Sequence, residues 1–300
     1  MGLLDPLTIP HLLISMPWCA KGGKGSLPVV LLAIAPVVLP AAYLAYVLRQ
    51  GARRTTASAS ITPPDPLAGT PLSTAREDGA GGGDTLAIPP DVLVALDEYV
   101  VARERVVSEA VPLGSILAGL RGAAARRGEA DGENQRGARG LLETYLGTTM
   151  RAFTWMLQAF VMKAIVSRLP DGAALARTFA TPYLDACRFE AGDRVCGVYV
   201  VRERVSSSTG ERVFLDLSPP EGWSGPVVTG VLDCGFVVEE KGGEKFVRFV
   251  NETILWRRRD GKPTLLEGTV SRWLHTAMIA WMMVRGVEAV SDGRAKVKMT

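Results

Sequence analysis

An α+β domain of the helix-grip or cone-like kind, carried behind an N-terminal transmembrane helix, is the fold that this 300-residue chain predicts. Three observations predict it. Residues 27–48, LPVVLLAIAPVVLPAAYLAYVL, carry no charge. Residues 194–259 contain four runs rich in Val, Phe and Tyr, separated by the turn-forming segments SSSTG, PPEGWSG and KGG; connections that short pair neighbouring strands antiparallel. A long apolar stretch at helical spacing precedes those runs, and another follows them. In folds with this element order a curved antiparallel sheet closes against a flanking helix, and an apolar ligand sits between them.

The N-terminal elements come first. Residues 1–26 are apolar but broken by Pro6, Pro10 and Pro17, which predicts a surface-lying stretch rather than a span. As a helix, the 22 residues of 27–48 reach ~33 Å, enough to cross a hydrocarbon core once. Pro36 and Pro40 are tolerated in such a helix, and Tyr43 and Tyr46 suit an interfacial belt. Lys21 and Lys24 before it, against Arg49, Arg53 and Arg54 after it, place the C-terminal domain on the cytoplasmic side. Three cysteines beyond the anchor, Cys187, Cys196 and Cys234, fit a reducing compartment. The sequon Asn251-Glu252-Thr253 falls inside a strand and reads as accidental.

Residues 49–90 read as a flexible linker, since 28 of the 40 residues from Gly51 to Pro90 are Gly, Pro, Ser, Thr or Ala. Residues 91–120 read as an amphipathic helical region with Val92, Leu96, Tyr99, Val106 and Ala110 on one face. Residues 121–140 form a polar loop. The α+β domain occupies 141–300. It opens with one long helix whose seam is Leu142, Tyr145, Leu146, Thr149, Phe153, Met156 and Phe160. Strands are predicted at 194–205, 211–218, 226–240 and 244–259. In the third, Val228, Leu232, Cys234, Phe236 and Val238 share a face; the fourth carries apolar residues on both faces. A helix from about Thr269 to Val290 closes the chain, capped by Thr269 or Ser271 and striped by Val270, Trp273, Leu274, Ala277, Trp281 and Val284.

Composition excludes several function classes. A hydrophobic fraction of 47% excludes a wholly disordered chain, and a net charge of +3 without basic clusters leaves no nucleic-acid footprint. Two histidines and no CxxC pair argue against a metal centre, and no phosphate-binding or dinucleotide fingerprint is present, so no cofactor is expected. The segment Gly222-Trp223-Ser224-Gly225-Pro226 misses the nucleophile elbow, having proline where glycine is required. What remains is His275, the one histidine of the domain, as a candidate acid or base. Asp233 and Glu252, flanked by apolar residues in their strands, are candidate carboxylate partners, although alternation can equally aim them at solvent. Trp155, Tyr199, Phe236, Trp256 and Trp273 are the candidate ligand-binding aromatics. The partners expected are membrane lipid and a hydrophobic small molecule such as a polyketide, lipid or terpenoid.

The segments TTMRAFTWMLQAFVMKAIV, GDRVCGVYVV, NETILWRRRDGKPTLLEG and RWLHTAMIAWMMVRGVEAV resemble uncharacterised membrane-anchored proteins of filamentous fungi, over residues 141–290. The resemblance implies a tailoring or accessory role in secondary metabolism and brings no catalytic residues. Three readings follow: a module that binds or processes a hydrophobic molecule, a non-catalytic scaffold on a membrane or partner, and a cyclase- or isomerase-like enzyme using His275.

Overall fold

A computed structural model describes residues 44–62, 87–126, 140–224 and 227–291. The chain divides into two compact units, residues 1–46 and 47–300. Of the first, only the helical residues 44–46 are described. Among the described residues no helix is long and apolar enough to cross a membrane. That finding overturns the expected single-pass anchor, and with it the membrane location and orientation built on it. Up to residue 43 the expected span lies outside the described residues, as does the apolar segment before it. The span's last two residues, Val47 and Leu48, are half-buried and lie among helical residues that run to 54. There Gly51 is buried, and a Cβ on it would meet the Ala280 Cβ at 3.1 Å.

The second unit is α+β, built on an open antiparallel sheet. In chain order its elements are β1 (Thr55–Thr62), α1 (Pro90–Val94), β2 (Tyr99–Ser108), β3 (Val111–Pro112) and α2 (Leu113–Arg126). Then follow α3 (Leu141–Phe153), α4 (Leu157–Val166), α5 (Gly172–Arg177) and α6 (Thr181–Ala186). The rest is β4 (Arg194–Val195), β5 (Tyr199–Ser207), β6 (Gly210–Leu217), β7 (Thr229–Lys241), β8 (Glu244–Arg258) and α7 (Thr269–Val290). The sheet order is β1-β2-β8-β7-β6-β5-β4, with β3 paired to β8.

Two expected features give way to strands. Residues 55–62 belong to the expected linker yet pair with β2 along their length, from Thr55 opposite Ser108 to Thr62 opposite Val101. Residues 99–108, expected to be helical, form the strand between β1 and β8. The run YVVARERVVS satisfies both periods in part, and its β-branched valines settle the choice once two neighbours complete its hydrogen bonds. The expected 141–169 helix is also divided. Met156 is extended (φ −81°, ψ 146°), and α4 starts again from it.

One face of the sheet carries the main core. α3 contributes Leu142, Tyr145, Leu146, Met150 and Phe153, and α7 contributes Ile279, Met282, Met283, Val287 and Val290. From the strands come Val106, Val213, Leu215, Cys234, Val247 and Phe249, and Tyr145 stacks on Phe249 with ring centroids 4.4 Å apart. The opposite face holds a smaller cluster in which Ala87, Ile88 and Val92 cover Val101, Phe214, Val231, Ile254 and Trp256. The stripe expected on α7 holds only in its second half: Val284 is buried and Trp281 packs against the core, whereas Val270, Trp273 and Leu274 are exposed.

Close approach of α3 and α7 depends on Gly286. A Cβ there would lie 2.5 Å from Thr149 Oγ1 and 2.7 Å from the Tyr145 ring. Gly286→Ala is therefore expected to destabilise the domain by about 1–3 kcal/mol through overpacking, despite alanine's better helix propensity. Thermal unfolding of the variant would show a melting temperature several degrees lower; an unchanged or higher value would mean that the helices separate without strain.

Candidate functional site

Strand alternation decides what His275 meets. In β2 Val106 belongs to the core cluster that α7 completes, and Glu104, two positions before it, falls in the same phase. Register places Glu104 opposite Thr253 and Val106 opposite Asn251 of β8, and those two lie opposite Leu232 and Cys234 of β7. A row of polar side chains thus crosses the apolar face of the sheet directly beneath α7. Glu104 is 2% exposed and Asn251 also 2%.

His275 Nδ1 is hydrogen-bonded to Glu104 Oε2, and Thr276 Oγ1 donates to Glu104 Oε1. The Thr276 hydroxyl is also 2.9 Å from the Arg272 carbonyl, so its single proton serves one acceptor at a time. The His275 side chain is only 10% exposed. With the carboxylate ionised, Nδ1 carries the proton and Nε2 keeps its lone pair. Two buried polar atoms close by, Asn251 Oδ1 and Thr253 Oγ1, have no hydrogen-bond partner. Unpaired buried polar groups are costly and rare, and functional sites are where they collect.

A cavity of about 20 Å³ opens beside this row, room for roughly one water molecule. His275, Met278 and Met282 of α7 line it, with Met150 and Phe153 of α3, Gln158 of α4, and Tyr199, Leu232 and Asn251 from the sheet. Tyr199 meets Phe153 edge-on at 6.1 Å. Burial pushes its phenol well above the ordinary tyrosine range, helped by the neighbouring Cys196 and Cys234 thiols, so it stays a neutral donor. The three methionines make a wall that changes shape at little cost.

The structure separates the residues that the sequence grouped. Asp233 and Glu252 face each other across β7 and β8, but on the side of the sheet away from α7. Asp233 is 1% exposed and ion-paired with Arg212, while Glu252 lies 3.9 Å from Arg103. Neither reaches His275, and neither is aimed at solvent. Of the five candidate aromatics, Tyr199 alone lines the cavity. Phe236 packs into the core beside Phe249 at 6.2 Å, and Trp256 belongs to the cluster on the opposite face. Trp155 and Trp273 are 67% and 52% exposed. Asn251, buried within β8, is not presented as a glycosylation acceptor.

Sequence reasoning does not single out Glu104 or Thr276, and it meets Asn251 and Thr253 only as parts of a sequon. An acidic residue on the buried phase of the Val-rich run 99–108 is the signal that points to Glu104 once that run is read with period two. Among the described residues no group of three metal-ligating side chains gathers. Among the described residues Cys187, Cys196 and Cys234 are buried thiols outside any disulfide, and burial pushes the Cys196 and Cys234 thiols far above the usual range, which makes them poor nucleophiles. Comparison with known protein families, curated proteins and solved structures finds no match for this chain.

Proposed function

We propose that the domain is a proton-transfer enzyme, isomerase- or cyclase-like, acting next to a carbonyl of a largely apolar small molecule such as a polyketide, lipid or terpenoid. The observation that carries this reading is the buried Glu104–His275 pair beside a methionine-walled cavity that His275 itself lines. A histidine oriented by a buried carboxylate has the arrangement of a general base. In the reaction His275 Nε2 takes a proton from carbon, and Glu104 stabilises the imidazolium that forms. Tyr199 is the available neutral donor for the developing enolate oxygen. Asn251 Oδ1 has an unused acceptor site for a substrate hydroxyl. Return of the proton at another carbon, or attack of the enolate carbon on a second carbonyl, completes an isomerisation or a ring closure without an oxidant. The cavity is sized for the reacting carbonyl alone. Trp155 and Leu157, close in sequence to Gln158, and Trp273 and Leu274, adjacent to His275, supply exposed apolar surface for the rest of the substrate.

The test is wash-in of solvent deuterium beside the carbonyl in a panel of apolar ketones and 1,3-diketones, followed by mass spectrometry. The intact protein is expected to catalyse exchange on members of that panel, and His275→Ala to lower it to the uncatalysed rate. Equal exchange by the two proteins would remove His275 from the chemistry, and a pair that is purely structural would leave the whole panel unexchanged.

A further inference from the structure

Residues of α5, α6 and β4, with those between them, line a second, larger hollow of about 570 Å³ that opens to solvent, well within the size of small-molecule sites. It shares no lining residue with the His275 cavity. Leu175, Pro182 and Tyr183 give it apolar walls, and Arg177, Arg194 and Asp171 supply its charge. Two guanidinium groups against one carboxylate leave a net positive charge. Arg194 is held in place without being neutralised. Its Nη1 donates to the carbonyls of Gly197 and Ser218, each at 2.9 Å. Its own carbonyl accepts from the Tyr183 hydroxyl at 2.7 Å. The left-handed residues Cys196 (φ 47°) and Gly197 (φ 75°) bend the chain so that the Gly197 carbonyl reaches it. Arg177 is exposed, and among the described residues neither arginine makes an ion pair. A half-buried cation fixed by neutral acceptors is incomplete by one anion.

We propose that this groove binds an amphipathic anion, a carboxylate or phosphate head on an apolar chain. The head meets Arg177 and Arg194, and the chain lies along Leu175, Pro182 and Tyr183. This goes beyond the His275 reading and does not depend on it.

Titration calorimetry on the intact protein tests it with laurate, dodecyl phosphate, dodecanol and inorganic phosphate as probes. Saturable one-to-one binding of laurate and dodecyl phosphate is expected, with dodecanol and inorganic phosphate each at least about tenfold weaker, because each lacks one half of the interaction. Arg177→Glu should weaken laurate at least about tenfold by reversing a charge at the head, and Ala174→Trp should abolish binding by filling the groove. Both positions are exposed, so unchanged melting temperatures confirm that the variants fold. Binding of monomeric amphiphile places the source in solution. Binding seen only with phosphatidylcholine vesicles doped with phosphatidic acid, and lost in Arg177→Glu, places it in a bilayer. Absence of saturable binding by every probe overturns the assignment, as does full affinity retained in both variants. Deuterium exchange by the His275 site is a separate readout, so failure here leaves that reading untouched.

Discussion

Glu104→Gln is expected to leave the domain folded and to lower proton exchange by a factor on the order of 10²–10⁴, the range for losing a correctly oriented base. Glutamine has nearly the shape of glutamate, so the loss is chemical rather than steric. Its amide nitrogen can donate to Nδ1, which moves the imidazole proton to Nε2. Nε2 would then be a donor instead of a base. The chain has only two histidines, His11 and His275, so nitrogen-15 NMR of labelled imidazoles reads the change directly. His275 should be the Nδ1–H tautomer in the parent protein and the Nε2–H tautomer in Glu104→Gln. The double variant with His275→Ala should be no slower than His275→Ala alone, since the two residues act as one unit. A tautomer unmoved by the substitution, or a double variant slower than both, would deny Glu104 its orienting role.

The second large effect concerns stability. Glu143, in the first turn of α3, accepts the Gly140 N–H at 3.2 Å, Arg188 at 3.0 Å and Arg204 of β5 at 3.1 Å. Arg204 also donates to Glu211 at 2.6 Å and to the Arg188 carbonyl at 2.8 Å. One carboxylate, its side chain 9% exposed, thus joins the start of the core helix to the sheet. Burial alone would raise its pKa; the Arg204 guanidinium, the Gly140 N–H and Arg188 overcome that and hold it below the usual carboxylate range. Glu143→Gln removes the charge and leaves two partly buried guanidinium groups short of a partner. A loss of about 2–3 kcal/mol is expected at neutral pH. The sign of the pH dependence follows from a lowered folded-state pKa. The stabilisation is complete above the unfolded value near 4.5 and disappears as pH falls through the folded value. Urea unfolding at pH 7 and at pH 3 should show the gap between parent and variant closing in acid. A gap of constant size would mean that Glu143 acts through shape alone.

The sequence announces some of these features openly and conceals others for physical reasons. β6, β7 and β8 are legible because SSSTG, PPEGWSG and KGG punctuate them with turn residues, and α7 is legible over Thr269–Val290 because nothing interrupts it. β1 is hidden. TTASASIT has no apolar alternation of its own, and it becomes a strand only because β2 offers an edge. In α3 and α4 the sequence shows apolar residues in continuous helical phase and gives no sign of the break at Met156. His275 stands out by scarcity alone. Its partner lies 171 residues away, on a segment whose valines and leucines also satisfy a helical period. Asp233 and Glu252 are misleading for a related reason. β7 and β8 carry apolar residues on both faces near those positions, so alternation sorts the side chains into two sets without saying which set faces α7.

The small polar side chains of β1 bear on the solution behaviour of the whole domain. β2, with Val100, Val101, Val106 and Val107, is long and rich in branched residues, the kind of strand that recruits other chains when its backbone groups stand free. β1 occupies that edge and presents mostly exposed Thr, Ala and Ser outward. At the opposite end the sheet stops with β4, only two residues long, so neither margin offers an inviting template. Arg54, paired with Glu109 at 3.1 Å and Glu288 at 2.8 Å, ties the start of β1 to the body. A chain shortened to begin at Asp91 would keep the main core and the residues lining both cavities but lose Ala87 and Ile88 from the smaller cluster and expose the β2 edge. Residues 55–62, poor in chemistry, thereby cover the edge of β2, and their removal would leave that edge open to pairing with another chain.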